Sequence, residues 1–382
     1  MGIGFSVLFP VLTPLGRHLG LQEFQITSII AFSSLTVFLA TPRWGRLSDR
    51  AGRKSIILIG LFGFSLGTFF FNIILEMGIS GSLAGLPLFF CLLGARIFHA
   101  SIMSAAMPAA TAYMADITEP SSRTKGMGAA GAANNLGSII GPALGGLAVF
   151  SLLLPLWLVG VFAFINGLFV LKNLPKSPIT FAPDLKPSNL RYSDRRIFPF
   201  IIIGVCLFTG FALVQQTMGF RFQDALELTT AETTKVFGSA LAVSGIMAFA
   251  SQTLIVQRIN LRPLTLLQLA TPLLIIAFSM MALYETRLLL TTAFGIMGFG
   301  MGLAAPGLMA GVSLAVSARE QGAVAGLAAS CGPLGFTIGP IIGGAIYQYD
   351  PRSPYLFAAL IYILLFIFMQ TMVKDTKSGH LL

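Results

Sequence analysis

Leu136–Ala148 reads LGSIIGPALGGLA, and Leu334–Ile346 reads LGFTIGPIIGGAI, 198 residues further on and about half the chain away. Pro108 and Pro306 stand at the same offset. Gly137, Gly141 and Gly145 recur every fourth residue and therefore share one helix face. Gly146 lies beside them, and Pro142 removes a backbone donor and bends the helix. Gly335, Gly339, Pro340, Gly343 and Gly344 repeat the device. Small residues at this spacing let helices approach closely in lipid. Two such copies half a chain apart predict two halves built from corresponding helices. Within them the glycine-proline faces are expected to form tight, pliable seams about which the halves rock.

The rest of the composition fits that reading. Of 382 residues, 55% are hydrophobic and 10% charged, against about 25% charged in a soluble domain. Mean hydropathy is +0.85. A span needs about 20 apolar residues, so twelve use roughly 240 and leave about 140 for loops and tails. An ordinary cytosolic enzyme, a coiled coil and a disordered chain are excluded. A transmembrane barrel is disfavoured because the apolar runs are continuous rather than alternating. The predicted spans are 1–19, 25–43, 55–76, 85–115, 125–150, 152–172, 198–221, 233–256, 264–284, 288–316, 323–348 and 354–373. The fold class is an all-α integral membrane protein, with twelve helices in two pseudo-symmetric six-helix bundles. The bundles are 1–172 and 198–382, joined by a linker, 173–197, rich in Pro, Lys and Arg.

Charge orients the spans. With the N-terminus in the cytoplasm, the even-numbered loops, the linker and the tail hold 18 of the 24 Lys and Arg. Arg17, Arg221, Lys235, Arg287 and Arg352 fall on the opposite side, and Arg96 lies within span four. Both termini are therefore placed in the cytoplasm, and the net charge of +10 is directed at the inner leaflet, with no role for nucleic acid. Cys91, Cys206 and Cys331 are odd in number and widely spaced inside apolar runs, so no disulfide framework is expected. His18, His99 and His380 form no ligand cluster, and neither a metal nor a cofactor is expected. The first apolar stretch carries no basic leader and no small-residue cleavage site, and reads as a span rather than a signal peptide.

Between spans two and three stands Gly45-Arg46-Leu47-Ser48-Asp49-Arg50-Ala51-Gly52-Arg53-Lys54. Gly45 and Gly52 allow tight turns and close backbone approach. Asp49 is the one acid among the five cations Arg43, Arg46, Arg50, Arg53 and Lys54, and the exposed N–H end of a helix is an attractive target for it. The stretch is similar to the G-x-L-x-D-R-x-G-R-R/K signature of the major facilitator superfamily. The Gly137–Gly146 pattern in span five resembles the motif found there in the superfamily's twelve-span drug:proton antiporters. The resemblance implies that Asp49 meets the start of span eleven, near Gln321–Ala323, in the opposite half, that Arg53 pairs with Asp116 at the end of span four, and that Gly45, Arg50 and Gly52 belong to the same device. Together these residues form a cytoplasmic latch. The matching loop of the second half, Val256–Pro263, is degenerate, with Gln257 where an acid is expected.

Arg96 is the most informative residue within a span, because a charge at membrane depth is costly and faces the bundle interior or a wet cavity. Leu92–Ala100 resembles the family's span-four motif, whose Arg is held to influence proton movement. His99 and Ala100 replace the usual Gln and Gly. His99 shares the face of Arg96 and can titrate near neutral pH. A structural hydrogen bond is the competing reading for both residues. Span one has no carboxylate, although many relatives carry one there or in span four. Asn134, Asn135, Gln215, Gln216 and Gln252 are the further candidates for a central cavity.

The expected function is export of a small organic molecule, drug-like or metabolite, by proton antiport through alternating access. The alternative is a dedicated metabolite carrier, such as a siderophore or sugar exporter or an uptake symporter. An enzyme would need clustered His, Asp or Glu, which the spans lack. The expected partners are the substrate, protons and the lipid bilayer, with the protein a monomer in a bacterial inner membrane.

Overall fold

The computed structural model describes residues 2–117, 137, 140–141, 144–175, 190–317 and 320–377. Among them every regular element is helical. The first half holds α1 (Gly2–His18), α2 (Glu23–Ala51), α3 (Arg53–Ile79), α4 (Gly85–Met103), α5 (Ala106–Ile117), a 3₁₀ turn (Gly145–Val149) and α6 (Leu154–Asn173). The second holds α7 (Phe198–Leu226), α8 (Thr230–Ser251) with a π turn (Gln252–Val256), α9 (Pro263–Leu283), α10 (Arg287–Leu314), α11 (Gln321–Tyr347) and α12 (Ser353–Lys377).

Ten helical segments among the described residues are long and apolar enough to cross a membrane, with α4 and α5 forming one of them. The 17-residue α1 is the eleventh apolar helix. Most of the predicted fifth span, 125–150, lies outside the described residues. Large apolar side chains such as Leu66, Phe90, Phe169 and Leu364 point outward, each more than half exposed. Apolar surface on that scale requires lipid rather than water.

Polar residues set several boundaries. The Gln25 side chain accepts from Gln22 N at 2.9 Å at the start of α2. Before α8, Glu232 Oε2 accepts from Thr229 N at 3.0 Å while Glu232 N donates to Thr229 Oγ1, a reciprocal cap. Pro263 opens α9, where its missing N–H has no helical partner to lose.

Span four keeps its predicted limits, with an apolar segment over Gly85–Met114, but is interrupted within, and one boundary, that of span seven, is corrected. Span four is broken: Pro108 has no N–H for the carbonyl of Ser104, and the chain turns at Ser104–Ala105 between α4 and α5. Gly60 of α3 fits against this break, since a Cβ there would meet Ala106 N at 2.5 Å. Span seven runs past its predicted end at 221 to Leu226, which places Arg221 inside α7.

The chain divides into two compact units, Met1–Leu185 with Leu228–Ser239, and Lys186–Glu227 with Ala240–Leu382. Equivalent pairings recur inside each. In the first, α3 packs on α4 and α6, and α2 on α4. In the second, α9 packs on α10 and α12, and α8 meets α10 where Gly298 and Gly302 admit Ser244, Ala248 and Ser251.

Candidate functional site

In the first unit, α4 carries Arg96 and His99 inward; they are 5% and 2% exposed. Arg96 Nη1 lies 2.7 Å from His99 Nδ1. A guanidinium has donors and no acceptor, so Nδ1 accepts and the imidazole carries its proton on Nε2. The ring is wedged. Its edge meets Phe64 with centroids 4.8 Å apart, and Gly67 passes so close that a Cβ would lie 2.6 Å from His99 Cδ2. The guanidinium carbon lies 5.5 Å from the Phe71 ring centroid. Arg96 Nε and His99 Nε2 have no hydrogen-bond partner among the described residues. Arg96 lines a water-sized gap of about 10 Å³ between α1, α2 and α4, lined also by Phe9, Ser33, Ser34, Val37 and Met103.

At the polar end of the same unit, the expected loop is almost entirely helical. Residues 45–51 extend α2, and Gly52, with φ 91°, is the corner before α3. The conformational freedom expected of both glycines is used at Gly52. Gly45 is corrected: it lies within α2, and a Cβ there would meet nothing within 4 Å. Arg53 is the hub. Its Nε donates to Asp116 Oδ2 at 3.1 Å, and its Nη1 to Ser48 Oγ at 2.7 Å and to the Asp49 carboxylate. The structure thus brings Arg53, Asp49 and Asp116 together, while Arg50 is exposed. Lys54 ties the corner to α6 by donating to Leu171 O at 2.8 Å.

The glycine faces lie against helices of their own units. A Cβ on Gly141 would meet Ser6 Oγ at 2.0 Å and Ile3 O at 2.7 Å, and one on Gly145 would meet Pro10 of α1 at 3.3 Å. Ser6 Oγ donates to the carbonyl of the buried Gly137 at 3.4 Å. On α11, Gly335 abuts Phe208, Gly339 would clash with Thr209 O at 2.4 Å, and Gly343 faces Leu213 and Thr217, all on α7. Pro340 is buried in α11, whereas a Cβ on Gly146 would meet nothing within 4 Å. These seams join span five to span one and span eleven to span seven. Pro142 lies outside the described residues.

Of the cavity candidates, Asn134 and Asn135 lie outside the described residues. Gln215 and Gln216 are buried on α7, and Gln215 Oε1, Gln216 Nε2 and Thr209 Oγ1 have no partner among the described residues. Gln252 opens the π turn, where Gln257 N donates to Gln252 O at 3.0 Å. One extra residue per turn is a distortion that recurs at functional sites.

Arg221 was missed as a buried group. It is 3% exposed and donates to Met281 O, Ala282 O and Tyr284 O at 3.2–3.3 Å, capping the end of α9, and to Glu285 Oε1 at 3.2 Å. Arg352 joins the same oxygen at 3.1 Å. The flanking Phe220 and Phe222 were the available sequence signal that helix, and not loop, continues there.

At the start of α11, Arg196 forks onto both oxygens of Glu320 at 2.8 and 3.0 Å and also binds Asp194. The Arg196 hydrogen bonds, followed by those from Ser317, hold the Glu320 carboxyl down at about 2. Gln321 and Ser313 exchange two hydrogen bonds at 2.7 and 2.8 Å, closing the corner from α10.

Multidrug resistance protein 2 of Bacillus subtilis is 29% identical over 377 residues, covering 94% of this chain and 89% of that protein. The quinolone resistance protein NorA of Staphylococcus aureus is 25% identical over 369 residues, covering 92% and 88%. Among solved structures, a bacterial homologue of the human lysosomal transporter Spinster, inward-facing and occupied, superposes with a TM-score of 0.74 at 15% identity, covering 98% of this chain and 94% of that one. The nucleoside transporter NupG gives 0.74 at 14% identity, covering 98% and 97%. The sequence profile of the Major Facilitator Superfamily matches residues 1–332 and 269–381. Repeated helix pairings, a motif corner hinged at Gly52 and a profile that spans both halves agree: the chain belongs to the Major Facilitator Superfamily.

Proposed function

We propose that this protein is a secondary active transporter that exports a small organic molecule by proton antiport through alternating access. The observation that carries this reading is end-to-end similarity to multidrug resistance proteins over 94% of the chain. The glycine seams support it physically. They lock span five to span one and span eleven to span seven, so each six-helix bundle, 1–172 and 198–382, moves as a body on either side of the 173–197 linker. Transport, not catalysis, is the activity, with protons as the coupling ion and both termini on the cytoplasmic side of a bacterial inner membrane.

Arg53, held by Asp49 and Asp116, is the centre of the latch in this reading. Asp49→Asn is expected to lower transport several-fold while membrane insertion stays intact; wild-type rates from that variant would remove the latch. The reading as a whole is tested in proteoliposomes with an imposed pH gradient, alongside a drug panel in an efflux-deficient host. Gradient-driven movement of at least one compound is expected. Movement that ignores the gradient in both directions overturns antiport.

A further inference from the structure

The described spans hold two buried charges, Arg96 and Arg221, and no buried carboxylate. Arg221 donates from Nε and Nη2 to three carbonyls and to Glu285. Arg96 has an imidazole and the face of Phe71, neither of which is an anion, and its Nε has no partner among the described residues. A cation held in a low-dielectric interior without a counter-ion carries a desolvation cost that its neighbours do not offset. The cost becomes useful when a ligand brings the missing charge. A planar two-oxygen anion matches a guanidinium edge, and charge-assisted forks are among the strongest hydrogen bonds available.

Resting on the export reading above, we propose that Arg96 anchors the carboxylate of the transported molecule, which is an organic acid with an apolar body. The gap between α1, α2 and α4 is about 10 Å³, enough for one carboxylate oxygen beside Arg96, and the adjoining carbons enter only as these helices part. Ser33 and Ser34 give it a polar wall, and Phe9, Val37 and Met103 give the apolar contact that the adjoining carbons require. His99 is a positioning residue. Its Nδ1 accepts a hydrogen bond from Arg96 Nη1 and holds the guanidinium in place beside the gap, while Phe64 and the bare backbone of Gly67 keep the ring from rotating.

The test is equilibrium dialysis of the purified full-length protein at pH 7.5 with three probes of one shape: 2-naphthoate, its methyl ester and 2-naphthylmethylammonium. The wild type is expected to bind the acid at least tenfold more tightly than the ester or the cation. Arg96→Gln is expected to erase that preference while changing ester affinity less than twofold, which also shows that the variant is folded. Arg96→Lys is expected to keep part of the preference. His99→Ala is expected to weaken acid binding several-fold and leave the ester unchanged. Equal binding of the three probes by the wild type, their common failure to bind, a preference for the cation, or an acid preference that survives Arg96→Gln overturns the proposal. The wild-type comparison needs no variant to fold. Gradient-driven export of a cation without acid preference would remove this inference and leave the exporter standing. Acid binding without gradient-driven movement would do the reverse.

Discussion

Arg96 and Arg221 are the same side chain at similar burial, in helices of opposite halves, yet they are held in opposite ways. Arg221 spends its donors on the last carbonyls of α9, groups that a helix end leaves unsatisfied, and on a carboxylate shared with Arg352. It joins α7, the end of α9 and the approach to α12. Arg96 is propped by one neutral ring and faces a gap. A buried charge tied to several backbone carbonyls and a carboxylate holds a fold together. One left open is maintained against its own desolvation and is available to something that arrives.

The comparison breaks most visibly at Arg221. Arg221→Met leaves three carbonyls at the end of α9 without their donor, while Glu285 keeps Arg352, and a loss of about 1–3 kcal/mol is expected, the scale for buried acceptors left unsatisfied. Thermal unfolding in detergent would show it, and an unchanged Tm would mean that Arg221 is as dispensable as a surface charge. Next comes Gly67→Ala, which pushes a methyl group into His99. Overpacking of this kind costs about 1–3 kcal/mol and tilts the imidazole under Arg96, so stability and transport are both expected to fall. If transport holds while Tm drops, His99 does not position Arg96.

Arg96→Met is the inverse of the first experiment. Removing an uncompensated charge is expected to leave stability within about 1 kcal/mol of wild type, or to raise it, while transport is lost. A large fall in Tm would place Arg96 in the same class as Arg221. The smallest effect belongs to Glu285, exposed at the rim of the Arg221 cluster. The hydrogen bond from Arg352, then the charge of Arg221, holds its carboxyl below the usual carboxylate range. A depressed folded value means that its contribution is complete above the unfolded value of about 4.3 and is lost as pH falls through the folded one. The gap in Tm between wild type and Glu285→Gln is therefore expected to be small at pH 7 and to close toward pH 3. A gap that widens on acidification would reverse the sign of this argument.

The large architecture was legible because it is written in long apolar runs and in a repeat at a fixed offset, both local properties of the string. Arg53 and Asp116 are also together, as the family resemblance implied, and the positive φ of Gly52 is what a glycine in that motif suggests. The rest was hidden for identifiable reasons. Arg221 ends an apolar run, and a window over hydropathy stops there, but its acceptors are backbone carbonyls 60 residues away that no side-chain pattern encodes. Pro108 was visible as a marker of the repeat. Its effect on span four depends on α3 coming close enough at Gly60 to hold the break, and its partner Pro306 sits within a continuous α10. The glycine faces announced close approach without naming the neighbour, since spacing defines a face and not what packs on it.

The π turn after Ser251 has a consequence for how this chain can change length. A helix that takes in one residue too many rotates everything beyond the insertion by about 100° unless a wide turn absorbs it. In α8 that turn lies just past Ser244, Ala248 and Ser251, the residues that Gly298 and Gly302 admit to α10. Upstream, the helix register is fixed by backbone contacts too close for a methyl group. Downstream, only a short connection remains before Pro263 begins the next helix. Deleting one residue within Gln252–Val256 would restore a regular turn while leaving Ser244, Ala248 and Ser251 in register with Gly298 and Gly302.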